Sequence, residues 1–288
     1  MKKALSSQLT RKTVDLSVGD ISYIDEGSGI PLLLLHGAPL TSLGFCRLIE
    51  VLRSKYRVIA PDLPGFGQSS ITSDFGFTLS EYSRFIAEFA TVLDLKDFVL
   101  FVNDSSACMG LHAAPELSSR VAALVVADTV SLPLEGMAKL VQWILKVIMG
   151  SSFAKKLNRN FNLLPWLVAT VAPTFHPFSR EIRVEMIQQF DTYKKRDLIL
   201  NIFSQMGCNT EFMSDAAKRA SEHFGQKPAL LLFGQFDPMR FVGAISCFKK
   251  MFPHNQVAII PMEEHFPILG SGAQVADQID KFVSRVMR

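Results

Sequence analysis

The sequence predicts an α/β fold: a mostly parallel central sheet flanked by helices, with an inserted helical segment. Three observations carry this. Short apolar runs and stretches of helical spacing alternate from about Pro31 to Ala127, which is the rhythm of βαβ units. The runs Pro31–Leu35, Phe98–Val102 and Val121–Ala127 are unbroken, as strands buried on both faces are. The rhythm stops at Ser131, gives way to helical segments as far as His223, and resumes with Ala229–Phe233 and Val257–Ile260.

In chain order, Thr13–Val18 and Ile21–Asp25 alternate polar and apolar residues, and Gly19-Asp20 offers a turn between them, so a hairpin is expected. Strand 31–35 follows. Thr41–Lys55 carries Phe45, Leu48, Ile49 and Leu52 at helical spacing, and Arg57–Ala60 is a short buried strand. Thr78 or Ser80 is suited to cap a helix through Val92, whose apolar face is Tyr82, Phe85, Ile86 and Phe89. Strand 98–102 leads into a helix reaching about Leu117, and strand 121–127 is the sixth. The helical segments that follow are expected to break at Pro165, Pro173 and Pro177. A last helix runs from about Ala273 to Met287. The division is a core of residues 1–130 and 226–288 with a helical cap over 131–225.

Composition narrows the function. Of 288 residues 48% are apolar, enough for a full core rather than a disordered chain. Thirty basic residues face 27 acidic ones without a clustered basic stripe, which argues against nucleic acid. Cys46, Cys108, Cys208 and Cys247 form no C-x-x-C pair, so neither structural zinc nor a disulfide scaffold is expected. Leu132–Met149 is interrupted by Glu135, Lys139, Gln142 and Lys146, too polar for a membrane span. Lys2 and Lys3 are not followed by an apolar stretch, so no secretory leader is read and a cytoplasmic location is expected. Gly65 and Gly67 read as turn glycines, because a phosphate loop would need G-x-x-x-x-G-K-[ST]. No metal or organic cofactor is expected.

Chemistry-bearing residues follow the apolar runs. His36-Gly37-Ala38-Pro39 comes after the first buried strand, Asn103-Asp104-Ser105-Ser106-Ala107 lies between a strand and a helix, and Asp237 and His265 follow the last two strands. Nucleophile candidate, acid, histidine is the order of an α/β-hydrolase triad. With Arg57-Val58-Ile59-Ala60-Pro61-Asp62-Leu63-Pro64-Gly65-Phe66-Gly67-Gln68-Ser69, Phe233-Gly234-Gln235-Phe236-Asp237-Pro238 and Glu264-His265-Phe266-Pro267, the chain resembles the α/β-hydrolase family over residues 13–130 and 226–288.

The elbow departs from G-x-S-x-G and leaves two registers. Asp104 as nucleophile puts Val102 and Ser106 two residues to either side; Ser105 puts Asn103 and Ala107 there. Relatives place an Arg-Val pair 16 residues after the nucleophile, and Arg120-Val121 follows Asp104 at that interval. The stretch also resembles the V-x-D-x-G elbow of haloalkane dehalogenases and epoxide hydrolases. A carboxylate nucleophile suits attack at saturated carbon, giving an alkyl ester that His265 hydrolyses by activating water. The resemblance makes the backbone N–H groups of Ala38 and Ser105 the oxyanion donors. Asp237 is the expected acid for His265; Asp128, after the sixth strand, is the alternative. His36 is read as a brace of its loop and Asp62 as a turn residue.

Leaving-group contacts of the named families are mostly missing. The halide-binding Asn and Trp positions are Ala38 and Ser105, the arginines of haloacid-type relatives fall on Ser105 and Cys108, and of the two cap tyrosines of epoxide hydrolases only Tyr193 has a counterpart. Tyr193, Trp143, Trp166 and His176 are the cap residues able to supply donors, and Tyr193 puts an epoxide slightly ahead of an alkyl halide. The expected function is hydrolysis of a small apolar molecule; the alternatives are a serine esterase or lactonase using Ser105, or a ligand binder on a hydrolase scaffold.

Overall fold

The computed structural model describes residues 9–72, 74–129, 151–171, 173 and 177–287; Trp143 and His176 lie outside them. Eight strands form one sheet: β1 (Arg11–Leu16), β2 (Gly19–Glu26), β3 (Pro31–Leu35), β4 (Arg57–Pro61), β5 (Phe98–Asn103), β6 (Val121–Ala127), β7 (Ala229–Gly234) and β8 (Asn255–Ile260). Their order is β1-β2-β4-β3-β5-β6-β7-β8. β2 is antiparallel to both neighbours, and β4 through β8 run parallel.

Alternation along the buried strands sends side chains to two cores. Leu33, Leu35, Leu100, Val102, Leu124 and Val126 face one, while Leu32, Leu34, Val99, Phe101, Val125 and Ala127 face the other. Both faces are covered by helices, so no strand needs a polar face. The first core packs the helix Leu79–Val92, closed at its start by a capping box between Thr78 and Glu81. The second packs the last helix, Gly272–Val286, through Val275, Ala276, Ile279 and Phe282.

Four local expectations are corrected. The first hairpin turns at Ser17-Val18, with Leu16 paired to Gly19. Gly19 sits at φ 127°, so its freedom serves the strand's first residue rather than the turn. The stretch after Thr41 begins as the 3-10 turn Ser42–Phe45 and continues as the helix Cys46–Leu52. After β5 there are two helices, Ser105–His112 and Ala114–Leu117. Pro115 has no N–H for the preceding turn, which ends the first of them. Pro165 does not break a helix: it lies in the first turn of Leu163–Thr170, where a missing N–H costs nothing, and the break falls at left-handed Asn162. Between β6 and β7 the described residues hold helices Ser152–Phe161, Leu163–Thr170, Arg180–Gln188, Tyr193–Cys208 and Thr210–Phe224.

Asp62 does more than fill a turn. It is fully buried. One oxygen accepts from Ser42 N (2.9 Å), the other from Gln68 N (3.0 Å) and Arg11 Nη1 (2.8 Å). It thus ties β1, the turn after β4 and the loop after β3 together. Asp62→Ala removes the carboxylate from the mostly buried Arg11 guanidinium, which keeps only the Ser22 and Ser42 hydroxyls, and leaves two N–H groups unpaired, so a loss on the order of 3 kcal/mol is expected. Urea denaturation checks this; an unchanged midpoint would refute it.

Candidate active site

Register decides which residues meet. Leu35 pairs with Val102, Asn103 with Ala127, and Ala127 with Leu232. The residues that follow these strands therefore gather at one edge, the carboxyl edge, where open parallel sheets bind ligands. His36, Gly37 and Ala38 follow β3, Asp104 follows β5, Asp128 follows β6, Asp237 follows β7 and His265 follows β8.

Asp104 stands at φ 47°, ψ −123° between β5 and its helix. A non-glycine residue in this region is strained and persists because its surroundings hold it. Thr129 Oγ1 donates to its carbonyl (2.8 Å). Gly37 lets the loop after β3 approach: a Cβ there would lie 2.5 Å from Asp104 Cβ and 2.6 Å from Oδ2. The non-glycine positions flanking Asp104 are accommodated individually. Val102 fits because Gly110 faces it; a Cβ at 110 would come within 2.7 Å of Val102 Cγ1. Ser106 folds back, accepting from Asn103 N (3.0 Å) and bonding to Leu35 O (2.9 Å).

The two Asp104 oxygens face different partners. Oδ2 accepts from Ala38 N at 3.2 Å. Oδ1 lies 3.4 Å from His265 Nε2. His265 Nδ1 is 2.9 Å from Asp237 Oδ1, which also accepts from Met239 N (3.0 Å). The imidazole thus bridges two carboxylates. Burial works to lower its pKa, but the hydrogen bonds and charges of Asp104 and Asp237 outweigh burial and hold it well above the usual histidine value. Ser105 Oγ accepts from Ala38 N (2.9 Å), so one N–H is divided between Ser105 and Asp104. His36 is fully buried; its Nε2 accepts from Leu63 N (3.0 Å) and its Nδ1 lies 3.0 Å from Gly37 O, bracing the loop. Burial lowers its pKa, which keeps the ring neutral.

A cavity of about 530 Å³ opens onto Asp104 and His265. Its other walls are Ala38, Val168, Phe203, Phe236, Pro238, Met239, Glu264 and Phe266. Nothing in the sequence assigned a role to Phe236 or Met239; Phe236 directly precedes Asp237 and Met239 lies two residues after it in the short helix Pro238–Phe241, and that proximity was the available signal. The cap donors fare differently. Tyr193 is 62% exposed and lines a separate cleft with Lys155, Lys156 and Arg159. Trp166 is 46% exposed and neither residue is among the described walls of the Asp104 cavity. Their helices turn apolar faces inward through Leu198, Ile199 and Ala169 instead. Among the described residues no cluster of three or more His, Cys, Asp or Glu is arranged to hold a metal, and no helix is long and apolar enough to cross a membrane.

Residues 30–271 match the family model described as alpha/beta hydrolase fold, and the chain belongs to that family; it is a hydrolase. A relative named haloalkane dehalogenase 2, from Mycobacterium tuberculosis, is 29% identical over 261 residues, covering 88% of this chain and 87% of its own. A cis-3-alkyl-4-alkyloxetan-2-one decarboxylase of Shewanella oneidensis is 25% identical over 276 residues, covering 92% of this chain and 85% of its own. Among solved structures, the epoxide hydrolase CorEH superposes with TM-score 0.82 at 20% identity, covering 97% of this chain and 100% of that one, which is a likeness of fold.

Proposed function

We propose that the protein hydrolyses a small apolar molecule carrying a displaceable group on saturated carbon, an epoxide or an alkyl halide, through an ester on Asp104. The observation that carries this is the chain Asp237–His265–Asp104, with Asp104 Oδ1 toward His265 and Oδ2 on Ala38 N. Asp104 Oδ1 attacks the carbon; the halide departs with its electron pair, or the epoxide C–O bond opens and the ring oxygen takes the proton of the His265 imidazolium. Esterification removes the Asp104 charge, one of the two anions holding the imidazole protonated; with a halide the ring then releases its proton to solvent, and in either case the neutral ring becomes a base. His265 takes a proton from water, and the hydroxide adds to the ester carbonyl. The oxyanion on Oδ2 is received by the Ala38 N–H and, in this reading, the Ser105 N–H; one such donor is typically worth 10²–10³-fold. Collapse expels the alkoxide, which takes a proton from His265; the carboxylic acid left on Asp104 gives its proton to the imidazole, restoring the carboxylate and the imidazolium.

Residues 1–130 and 226–288 act as core and 131–225 as cap in this reading. Val168 and Phe203, both between β6 and β7, wall the cavity, and Gln189 Nε2 donates to Pro39 O (2.6 Å) across the join. Five of the cavity's walls are Val168, Phe203, Phe236, Met239 and Phe266, fit for an apolar substrate. The names of the relatives, a haloalkane enzyme and an oxetanone enzyme, agree with reaction at a carbon bearing a leaving group. Tyr193 stands outside the cavity, which removes the reason for placing epoxides first. Cytoplasmic location belongs to the same proposal, supported by the free thiols Cys46, Cys108 and Cys247.

The test is a panel of bromoalkanes, terminal epoxides and p-nitrophenyl esters, given to the wild type and to Ser105→Ala. Bromide or diol is expected from both, with Ser105→Ala within about tenfold of wild type. An organophosphonate adduct on Ser105, with ester turnover lost in Ser105→Ala, would establish the serine esterase instead. Ligand-induced stabilisation without turnover of anything would favour a binder.

A further inference from the structure

Two buried carboxyl oxygens beside the site have no N–H or O–H partner among the described residues: Asp128 Oδ2 and Asp237 Oδ2. Both residues are fully buried. Asp237 spends its other oxygen on His265 Nδ1 and Met239 N. Asp128 spends its other oxygen on Gly234 N (3.0 Å), while its own N–H donates to Leu232 O (3.0 Å), which fixes it beside β7. β6 and β7 are neighbours: Ala127 pairs with Leu232 and the Asp128 N–H bonds Leu232 O, which sets Asp128 beside the end of the strand that Asp237 follows, and the two carboxyls act on each other directly. Two ionised carboxylates side by side in a buried site repel, and each leaves an acceptor without a protein donor; one proton between them removes both faults.

We propose that Asp128 is a positioning residue held as a neutral carboxylic acid, its Oδ2–H donating to Asp237 Oδ2 so that the pair carries a single negative charge. The proton belongs on Asp128 because its carboxyl receives one backbone N–H, whereas the Asp237 carboxyl receives a backbone N–H and the imidazole, and these favour the anion. Burial pushes the Asp128 carboxyl well above the usual carboxylate range, and the charge of Asp237 pushes it further.

The consequence concerns His265 and rests on the aspartyl-ester reading. Among the described residues, His265 is the titratable group that meets the pair; Asp104 meets the opposite imidazole nitrogen, Glu264 is next to His265 in the chain, and Arg240, three residues after Asp237, donates to Gln235 O. With Asp128 neutral, esterification of Asp104 leaves the imidazole facing one anion, and it can act as a base. With Asp128 ionised it would still face two and would stay protonated. The acid also fixes Asp237, leaving its other oxygen for Nδ1.

Two variants and two readouts test this. Asp128→Asn keeps an acceptor for Gly234 N and supplies an N–H to Asp237; Asp128→Ala supplies neither. The infrared carbonyl stretch of a protonated carboxylic acid is expected in the wild type at neutral pH and is expected to vanish in Asp128→Asn. This readout needs no substrate, so it stands even if the ester mechanism fails. His265 titration, followed by NMR of labelled histidine, is expected to be unchanged in Asp128→Asn and to move upward in Asp128→Ala, with the acid limb of turnover moving alike. No band difference between wild type and Asp128→Asn would overturn the proposal, even if Asp128→Ala fails to fold. So would equal titration of the two variants.

Discussion

Asp104→Ala is expected to lower turnover of epoxide and alkyl halide by about 10⁴-fold or more, with the protein still folded. The size follows from the role. Without the carboxylate no ester forms, and the remaining groups act on water alone. His265 would keep its Asp237 contact but lose one of the two anions that raise its pKa, so its titration is expected to move down. Steady-state assays of halide or diol, with circular dichroism as the control for folding, check the first point, and histidine NMR the second. Retention of a tenth of the activity would mean that another nucleophile does the work.

His265→Gln is expected to separate the two halves of the reaction. Asp104 Oδ1 can still attack, since its other oxygen remains on Ala38 N, but no base is left to activate water. A burst of about one equivalent of halide per site should appear. Steady-state turnover should then fall by about 10²–10⁴-fold, the usual worth of a positioned general base. Rapid quench and intact-protein mass spectrometry detect the ester as an added mass on the peptide carrying Asp104. A variant slowed equally in both phases, with no adduct, would contradict the division of labour.

Much of the sheet was legible because β3, β5 and β6 are apolar on both faces, and a continuous apolar run bounded by polar loops has few other solutions. The helix Leu79–Val92 was legible through its apolar face and its Thr78 cap. What failed was local and geometric. Gly19 announces a turn, yet its positive φ is used one residue past it. Proline was read as a breaker at position 165, whereas its effect depends on whether it falls within a helix's first turn.

At the site, residue types and their order placed Asp104, Asp237 and His265 after the right strands. Strand register then brings them within hydrogen-bond reach, which spacing alone does not specify. The elbow's departure from G-x-S-x-G left two registers open. The compensation, Gly110 facing Val102, is a contact between β5 and the helix that follows it, eight residues on. Tyr193 is the converse case. Helical periodicity gives a residue's face relative to its own helix but not which cleft that face borders, and Tyr193 borders the basic one. Asp128 and Asp237 were read as a choice between two acids, because chain order alone does not show that β6 and β7 are neighbours in the sheet.

The most direct test is a single turnover of excess enzyme in water labelled with heavy oxygen. An ester on Asp104, cleaved at its carbonyl, must put the label into the Asp104 carboxylate and leave the first alcohol formed unlabelled. Label found at once in the product, with the Asp104 peptide unchanged, would mean that water attacks the substrate carbon directly, and the aspartyl ester would have to be given up.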